Sequence, residues 1–266
     1  MTLSTPRTAL ATLALLALLA PVAAPAAAVG FSHDAWTAVL ERFVDANGLV
    51  DYRSLSGDRA QLDRYLEALA AASPDSAPER FKTDAERLAY WLNAYNALVF
   101  QGVLARGPES ESVWGDGLFG LGFFTAERHV LGGSRYSLKR LEDDVIRARF
   151  RDPRVHAALN CASLGCPRLP RRAFQGATLD VALDAALREF VADPRNCRVD
   201  AARRTVTLSK IFDWFEDDFL DRERRIGDPR PRLLDFVNRY RDPRDLVPRD
   251  FRVRFADYDK RINRQP

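Results

Sequence analysis

The residue types that could do chemistry gather in one stretch of this chain, "HAALNCASLGCP", residues 156–167. His156, Asn160, Cys161 and Cys166 stand within eleven positions, closed by Pro167. Such a set could supply a thiol nucleophile with a base, a redox pair, a metal site or a structural bridge. A Cys–His catalytic pair must meet at about 3 Å. Read as a strand, "VHAALN" puts His156 roughly 16 Å along the chain from Cys161. The base for Cys161 or Cys166 would then come from elsewhere unless the chain bends sharply, and His129 is the better candidate. Zinc wants four ligands, with cysteine pairs repeated along the chain. One C-x4-C and three scattered histidines do not supply them, so no metal site and no cofactor is expected. A redox pair is usually C-x-x-C at a helix start, and neither condition is met. A Cys161–Cys166 disulfide would close a small loop held by Gly165 and Pro167, with a stabilisation of about 2 kcal/mol at most. Cys197 is then the odd thiol of three.

A second constellation lies on the strongest helical stretch, "DAERLAYWLNAYNALVFQGVLARG". Leu88, Trp91, Leu92, Tyr95, Leu98 and Val99 repeat at helical spacing, and alanines and Phe100 extend the apolar surface most of the way round. A helix apolar on nearly all sides is expected to be buried. Asn93 and Asn96, three apart, then share one side of a buried helix. Two readings stay open: the amides line a polar pocket, or they tie a neighbouring loop to the helix. The first reading gives a binding set of Asn93, Asn96, His156 and Asn160, with His156 within hydrogen-bond or one-water reach of Asn93 or Asn96. Among the carboxylates, Glu142 in "LEDDV" and Asp218 in "FEDDF" stand out because each follows an apolar face; the others read as solvated or Arg-paired.

These residues need elements to position them. Trp36, Val39, Leu40 and Phe43 repeat at helical spacing in the opening stretch, and "RAQLDRYLEALAAA" reads as a second helix before the long one, for which Asp84 is a plausible N-cap and Gly107 a stop. A Gly-rich loop, "GDGLFGLGFF", lacks the Lys-Ser/Thr ending of a phosphate loop. A hairpin turned at Gly132-Gly133 follows, then a helix from near Ser137. "RVHAALN" reads as a short strand, "TLDVALDAALREFVAD" as a helix and "CRVDAARRTVTLSK" as a second hairpin. Two further helices and a closing strand, "FRVRFADYD", complete the chain. The class is α+β, with N-terminal helices packed on a mostly antiparallel sheet.

The chain has 266 residues, 47% hydrophobic and 29% charged, ample for a core. Forty Lys and Arg face 37 Asp and Glu, and the two signs are interleaved. No basic stripe marks a nucleic-acid binder. The opening residues carry Arg7, an apolar run from Ala9 to Ala20, two prolines and an A-x-A pattern ending at Ala28. That is the layout of a signal peptide over 1–28, with one domain over 29–266. The mature protein is expected in the periplasm or secreted, with no membrane span, in a compartment where Cys161 and Cys166 can oxidise.

Several stretches together resemble one family, domain of unknown function 547. Its bacterial and plant members share patterns like "RLAYWLNAYNALV", "DPRVHAALNCASLGCP" and "LSKIFDWFEDDF", and the chain fits an exported bacterial member. The resemblance covers nearly all of the mature chain, including "FVDANGLVDYRSL" and "FADYDKRIN". Shared positions fall on Trp91, Asn93, Tyr95 and Asn96, on His156, Asn160, Cys161, Cys166 and Pro167, and on Lys210, Trp214 and Asp218. Lys260 stands where relatives commonly have an aromatic residue. The resemblance implies no activity. By a looser analogy, papain- and transglutaminase-like enzymes set a catalytic residue on a buried helix against a His on a sheet; here that helix offers Asn93 or Asn96 instead. Two functions are therefore expected as alternatives. One is a binding domain for a small molecule, peptide or envelope component. The other is a thiol-dependent hydrolase or acyl transferase using Cys161 or Cys166 with His156 or His129.

Overall fold

The long helix organises the molecule. In the computed structural model, which describes residues 1, 30–115, 120–126 and 128–266, it runs as α4 (Asp84–Arg106). Its N-cap is Thr83, one residue before the expected Asp84. Thr83 Oγ1 accepts from the Glu86 N–H at 3.1 Å, and Glu86 Oε2 accepts from the Thr83 N–H at 3.0 Å. This reciprocal capping box satisfies two helix-end donors at once. Gly107, at φ +109°, ends the helix in a conformation that favours glycine. The expected signal segment lies outside the described residues, apart from Met1; so do residues 116–119 of the Gly-rich loop.

Being apolar on nearly all sides, α4 is wrapped on nearly all sides. Helices α1 (Asp34–Phe43), α2 (Tyr52–Gly57) and α3 (Ala60–Ala71) bury their apolar stripes in the same core, Trp36, Leu40 and Phe43 from α1 and Leu62, Tyr65 and Leu69 from α3. The cover expected from a sheet comes instead from helical elements. Alongside α2 and α3, α4 packs on α6 (Leu138–Arg140), on the π-helical turn Leu141–Arg147 that continues it, and on α8 (Leu179–Ala192). A one-turn helix α5 (Gly122–Thr125) and the single turn α7 (Ala148–Phe150) flank that run.

The sheets sit at the periphery. Strands β1 (His129–Leu131) and β2 (Ser134–Tyr136) form the expected hairpin and lean on α3. Strands β3 (Cys197–Asp200) and β4 (Thr205–Leu208) form the second, and β5 (Arg252–Phe255) joins β4 in parallel. Their inner face packs with α9 (Lys210–Trp214), α10 (Glu216–Arg225) and α11 (Leu233–Arg239) in a second core. Helix α8 stitches the two cores together: Leu179 and Leu183 enter the first, while Leu187, Phe190 and Val191 enter the second. The class is α+β.

Candidate functional site

The stretch expected as the strand "RVHAALN" is a 3-10 helix over Pro153–Ala157. The cause is local. Asp152 accepts from the Arg154 N–H at 3.0 Å as an N-cap, and Pro153 at the first helical position fixes a helical φ. Arg154 then anchors the turn to α8 through Asp180 and Asp184, at 2.8 and 2.7 Å. The alternation argument that set His156 roughly 16 Å from Cys161 does not apply to a helical turn, and both residues line one cavity.

The hydrogen bond of His156 runs to Asp218, while those of Asn93 and Asn96 run to loop backbone. His156 Nε2 lies 2.8 Å from Asp218 Oδ2, and its ring stacks on Phe215 at 4.0 Å between centroids. Burial pulls the imidazole below its ordinary value, against the opposing pull of Asp218. The neutral ring must therefore carry its proton on Nε2 and donate it to the carboxylate. Burial alone would raise Asp218, but hydrogen bonds from His156 and Arg147 hold it well below the usual carboxylate range. Arg147 gives Nε to Asp218 at 2.7 Å and Nη1 to Asp143 at 2.7 Å, and lies over the Phe215 ring. The π turn carries Asp143, Glu142 and Arg147, and such wide turns recur at functional sites.

The amides serve the loop reading. Asn93 donates to Phe174 O at 2.8 Å and accepts from Phe174 N at 3.0 Å. Asn96 donates to Ala158 O and accepts from Asn160 N. Asn160 donates to Pro167 O at 2.8 Å and accepts from Ala162 N and from Asn263 Nδ2. Asn263 accepts in turn from the Tyr52 hydroxyl. This ladder of amides clamps both ends of the cysteine loop to α4 and to the C-terminal segment. Backbone bonds from Leu164 and Gly165 to Arg261 and Asp259 complete the seat. A Cβ on Gly165 would stand 2.7 Å from the Tyr258 ring, so only glycine permits this approach. Asn93, Asn96 and Asn160 are buried and do not line the cavity, whereas His156 does.

Cys161 and Cys166 are joined by a disulfide, and Cys197 is free and buried. The bridge lines a cavity of about 550 Å³. Across it stands Glu142, whose Oε2 accepts from the Tyr95 hydroxyl at 3.2 Å. Burial and the neighbouring Asp143 push the Glu142 carboxyl up to about 7, against the pull of Tyr95, Arg147 and Lys139. It therefore changes charge near neutrality. The mouth is aromatic: Trp114, Trp214 and Tyr258 pack with centroids 4.7–6.0 Å apart, and Trp214 is 43% exposed. Lys260 holds its ammonium 5.1 Å from the Trp114 ring centre.

His129 is not brought to this site. It sits on β1 with Nδ1 3.2 Å from Gln101 Oε1, and burial lowers it to about 4. His156 stands on a 3-10 turn rather than on a sheet strand, unlike the papain-like arrangement. Among the described residues no group of His, Cys, Asp and Glu could hold a metal ion.

Residues 78–191 match the family model described as protein of unknown function, DUF547. The chain carries a DUF547 domain. No curated protein and no solved structure matches the chain. The matched DUF547 residues include α4, Glu142, His156, the cysteine loop and most of α8. Trp214, Phe215, Tyr258 and Lys260 lie beyond the match, so residues after the matched region complete the cavity wall. Sequence reasoning singled out Glu142 and Asp218 but not the aromatic mouth. Its signal was there: "FADYDKRIN" carries Tyr258, Lys260 and Asn263 at alternating or near-alternating positions, all directed at the cysteine loop or its cavity.

Proposed function

We propose that this DUF547 protein is exported and works as a binding protein, with its ligand seated between the aromatic mouth and Glu142. The observation that carries the reading is the cavity itself. It falls in the size range of small-molecule sites, and its lining joins aromatic and aliphatic side chains with Glu142, Asp143, Arg147, His156, Lys139 and Lys260. The expected His/Asn pocket is revised in composition: His156 and Glu142 supply the polar groups, and the amides shape the loop beside them. Aromatic rings at the mouth favour a ligand with a flat apolar face. Glu142, titrating near neutrality, can donate or accept a hydrogen bond to it. The bridge leaves the hydrolase or acyl-transferase reading without a free thiol at the site.

The test is a panel of sugars, short peptides and aromatic acids screened by thermal shift on the mature chain, with hits titrated by tryptophan fluorescence. Trp214→Ala removes a half-exposed ring that packs on Trp114 and Tyr258 and should cost about 1–2 kcal/mol, leaving the chain folded. It should weaken a true ligand at least tenfold, and Glu142→Gln should weaken it as well. Hits that bind both variants as well as the wild type would place the ligand elsewhere. N-terminal sequencing of exported material should begin after Ala28; material beginning at Met1 would refute export by cleavage. Among the described residues no helix is long and apolar enough to cross a membrane.

A further inference from the structure

The Cys161–Cys166 bridge has surroundings that a mere clip does not need. Both cysteines line the cavity, Cys161 half-buried against the first core and Cys166 buried. Cys166 Sγ accepts from the Cys161 N–H at 3.0 Å. The Tyr258 hydroxyl lies 3.0 Å from each sulfur. A disulfide sulfur has no proton, so that hydroxyl can only donate to it. Neutral disulfide sulfur is a weak acceptor, and the same donors become strong when the sulfur carries charge. They are placed for a thiolate. Cys161 is the more accessible of the two sulfur residues, and Cys166 alone has the backbone donor. At the rim stands Lys260, exposed and without an ion pair among the described residues.

We propose that the bridge is a thiol–disulfide exchange site for a small anionic thiol. The thiolate sulfur of the ligand attacks Cys161 Sγ. A ligand–Cys161 S–S bond forms, and the Cys161–Cys166 bond breaks. Its electron pair goes to Cys166 Sγ, which leaves as a thiolate held by the Cys161 N–H and the Tyr258 hydroxyl. A second thiolate attacks the ligand sulfur of the mixed disulfide and releases Cys161 as a thiolate. Two ligand thiols are thereby oxidised to one disulfide, and the protein bridge is reduced to two thiols. No other reactant enters. Leaving-group stabilisation sets the regiochemistry, because the thiol of lower pKa departs faster. The cavity admits a ligand of small-molecule size, and Lys260 favours a negative one. The inference rests on the cavity being open to small ligands, as proposed above. A chain that binds a non-thiol ligand but does not exchange defeats this inference alone.

The probe is glutathione, added to the oxidised mature chain under native conditions. Acid quenching and alkylation fix the products, and peptide mass spectrometry locates them. Glutathione should appear on Cys161, with Cys166 as the free thiol. Tyr258→Phe keeps the ring and loses the donor, and should slow exchange by about tenfold or more, the scale of one hydrogen bond to a charged group. Lys260→Ala should slow glutathione but not the neutral 2-mercaptoethanol, a second readout should Tyr258→Phe fold poorly. Three results would overturn the proposal: a bridge that reacts only as fast as the chain unfolds in denaturant, glutathione on Cys166, or a folded Tyr258→Phe protein that exchanges at the wild-type rate.

Discussion

The cysteine loop has two polar sides, and they are built to opposite rules. Beneath it, Asn96, Asn160 and Asn263 are buried and joined to one another and to loop backbone. Above it, Glu142, the disulfide and Tyr258 face a cavity. The amides beneath cannot titrate, and their donors and acceptors are spent within the protein. The carboxyl above is displaced toward neutrality by burial and by Asp143. Polar groups that bond only to the chain's own backbone build architecture. Polar groups with a perturbed charge state on a cavity wall have something left to offer a ligand. Burial differs too, with Asn96, Asn160 and Asn263 buried and Glu142, Cys161 and Tyr258 half-buried on the cavity wall, but that difference alone assigns no role. What separates them is where the remaining hydrogen-bonding capacity points.

The sharpest way to break that comparison is to remove a rung of the ladder. Asn160→Ala leaves the Ala162 N–H, the Pro167 carbonyl and the Asn263 amide without their partner. Unmade buried hydrogen bonds cost about 1–3 kcal/mol each, so a total loss of about 3–5 kcal/mol is expected. Urea unfolding followed by circular dichroism would measure it. A loss below about 1 kcal/mol would mean that water replaces the ladder and that this side is no more architectural than the other.

A smaller effect is expected from Glu142, and its sign depends on pH. The folded carboxyl titrates near 7 and the unfolded one near 4.5, so between those values the folded chain holds a proton that the unfolded chain releases. Stability from this group is therefore fully present below about 4.5 and is lost as pH rises through about 7. Glu142 is half-buried on the cavity wall, so solvent screening reduces the penalty to on the order of 2 kcal/mol. His156 acts in the opposite direction, because burial lowers its folded value and stability from it grows as pH rises. The informative quantity is thus the difference between the wild type and Glu142→Gln. That difference should favour the variant progressively from pH 5 to pH 8. Parallel pH curves would show that the carboxyl is solvated and the cavity side unperturbed.

Much of this arrangement was legible in the sequence, and the failures have physical causes. The helical stripes of α1, α3 and α4, both Gly-turned or Arg-rich hairpins and the free Cys197 followed from periodicity, turn residues and an odd cysteine count. The strand through His156 failed because Asp152-Pro153 is a helix-start signal that outweighs a short apolar alternation. The hydrogen bonds of Asn93 and Asn96 go to loop backbone and that of His156 to Asp218, partners that strand alternation did not point to. The sheet expected over α4 failed because a helix apolar on all sides is covered equally well by other helices. Glu142 and Asp218 were visible as acids trailing apolar faces, but their partners Tyr95 and Arg147 were not, since those contacts cross 47 and 71 residues. The aromatic mouth gathers Trp114, Trp214 and Tyr258 from three separate segments, and no local pattern encodes such a meeting.

Cys197 offers the mildest test, because it belongs to neither side of the loop. It faces the second core from β3, paired in register with Leu208, and is 5% exposed. Burial raises its thiol above the ordinary value, and the Arg241 guanidinium, donating from Nη1 at 3.3 Å, only partly offsets this. The group is therefore a neutral thiol at neutral pH and a poor nucleophile. Serine fits the same space and keeps an acceptor for Arg241, so Cys197→Ser should cost about 1 kcal/mol or less. The non-reduced protein should show one thiol to an alkylating agent when denatured, and that thiol should react far more slowly when folded. Peptide mapping that joined Cys197 to Cys161 or Cys166 would overturn the pairing. Fast native alkylation at Cys197 would show that β3 opens locally, and would move the reactive sulfur of this protein away from the cavity.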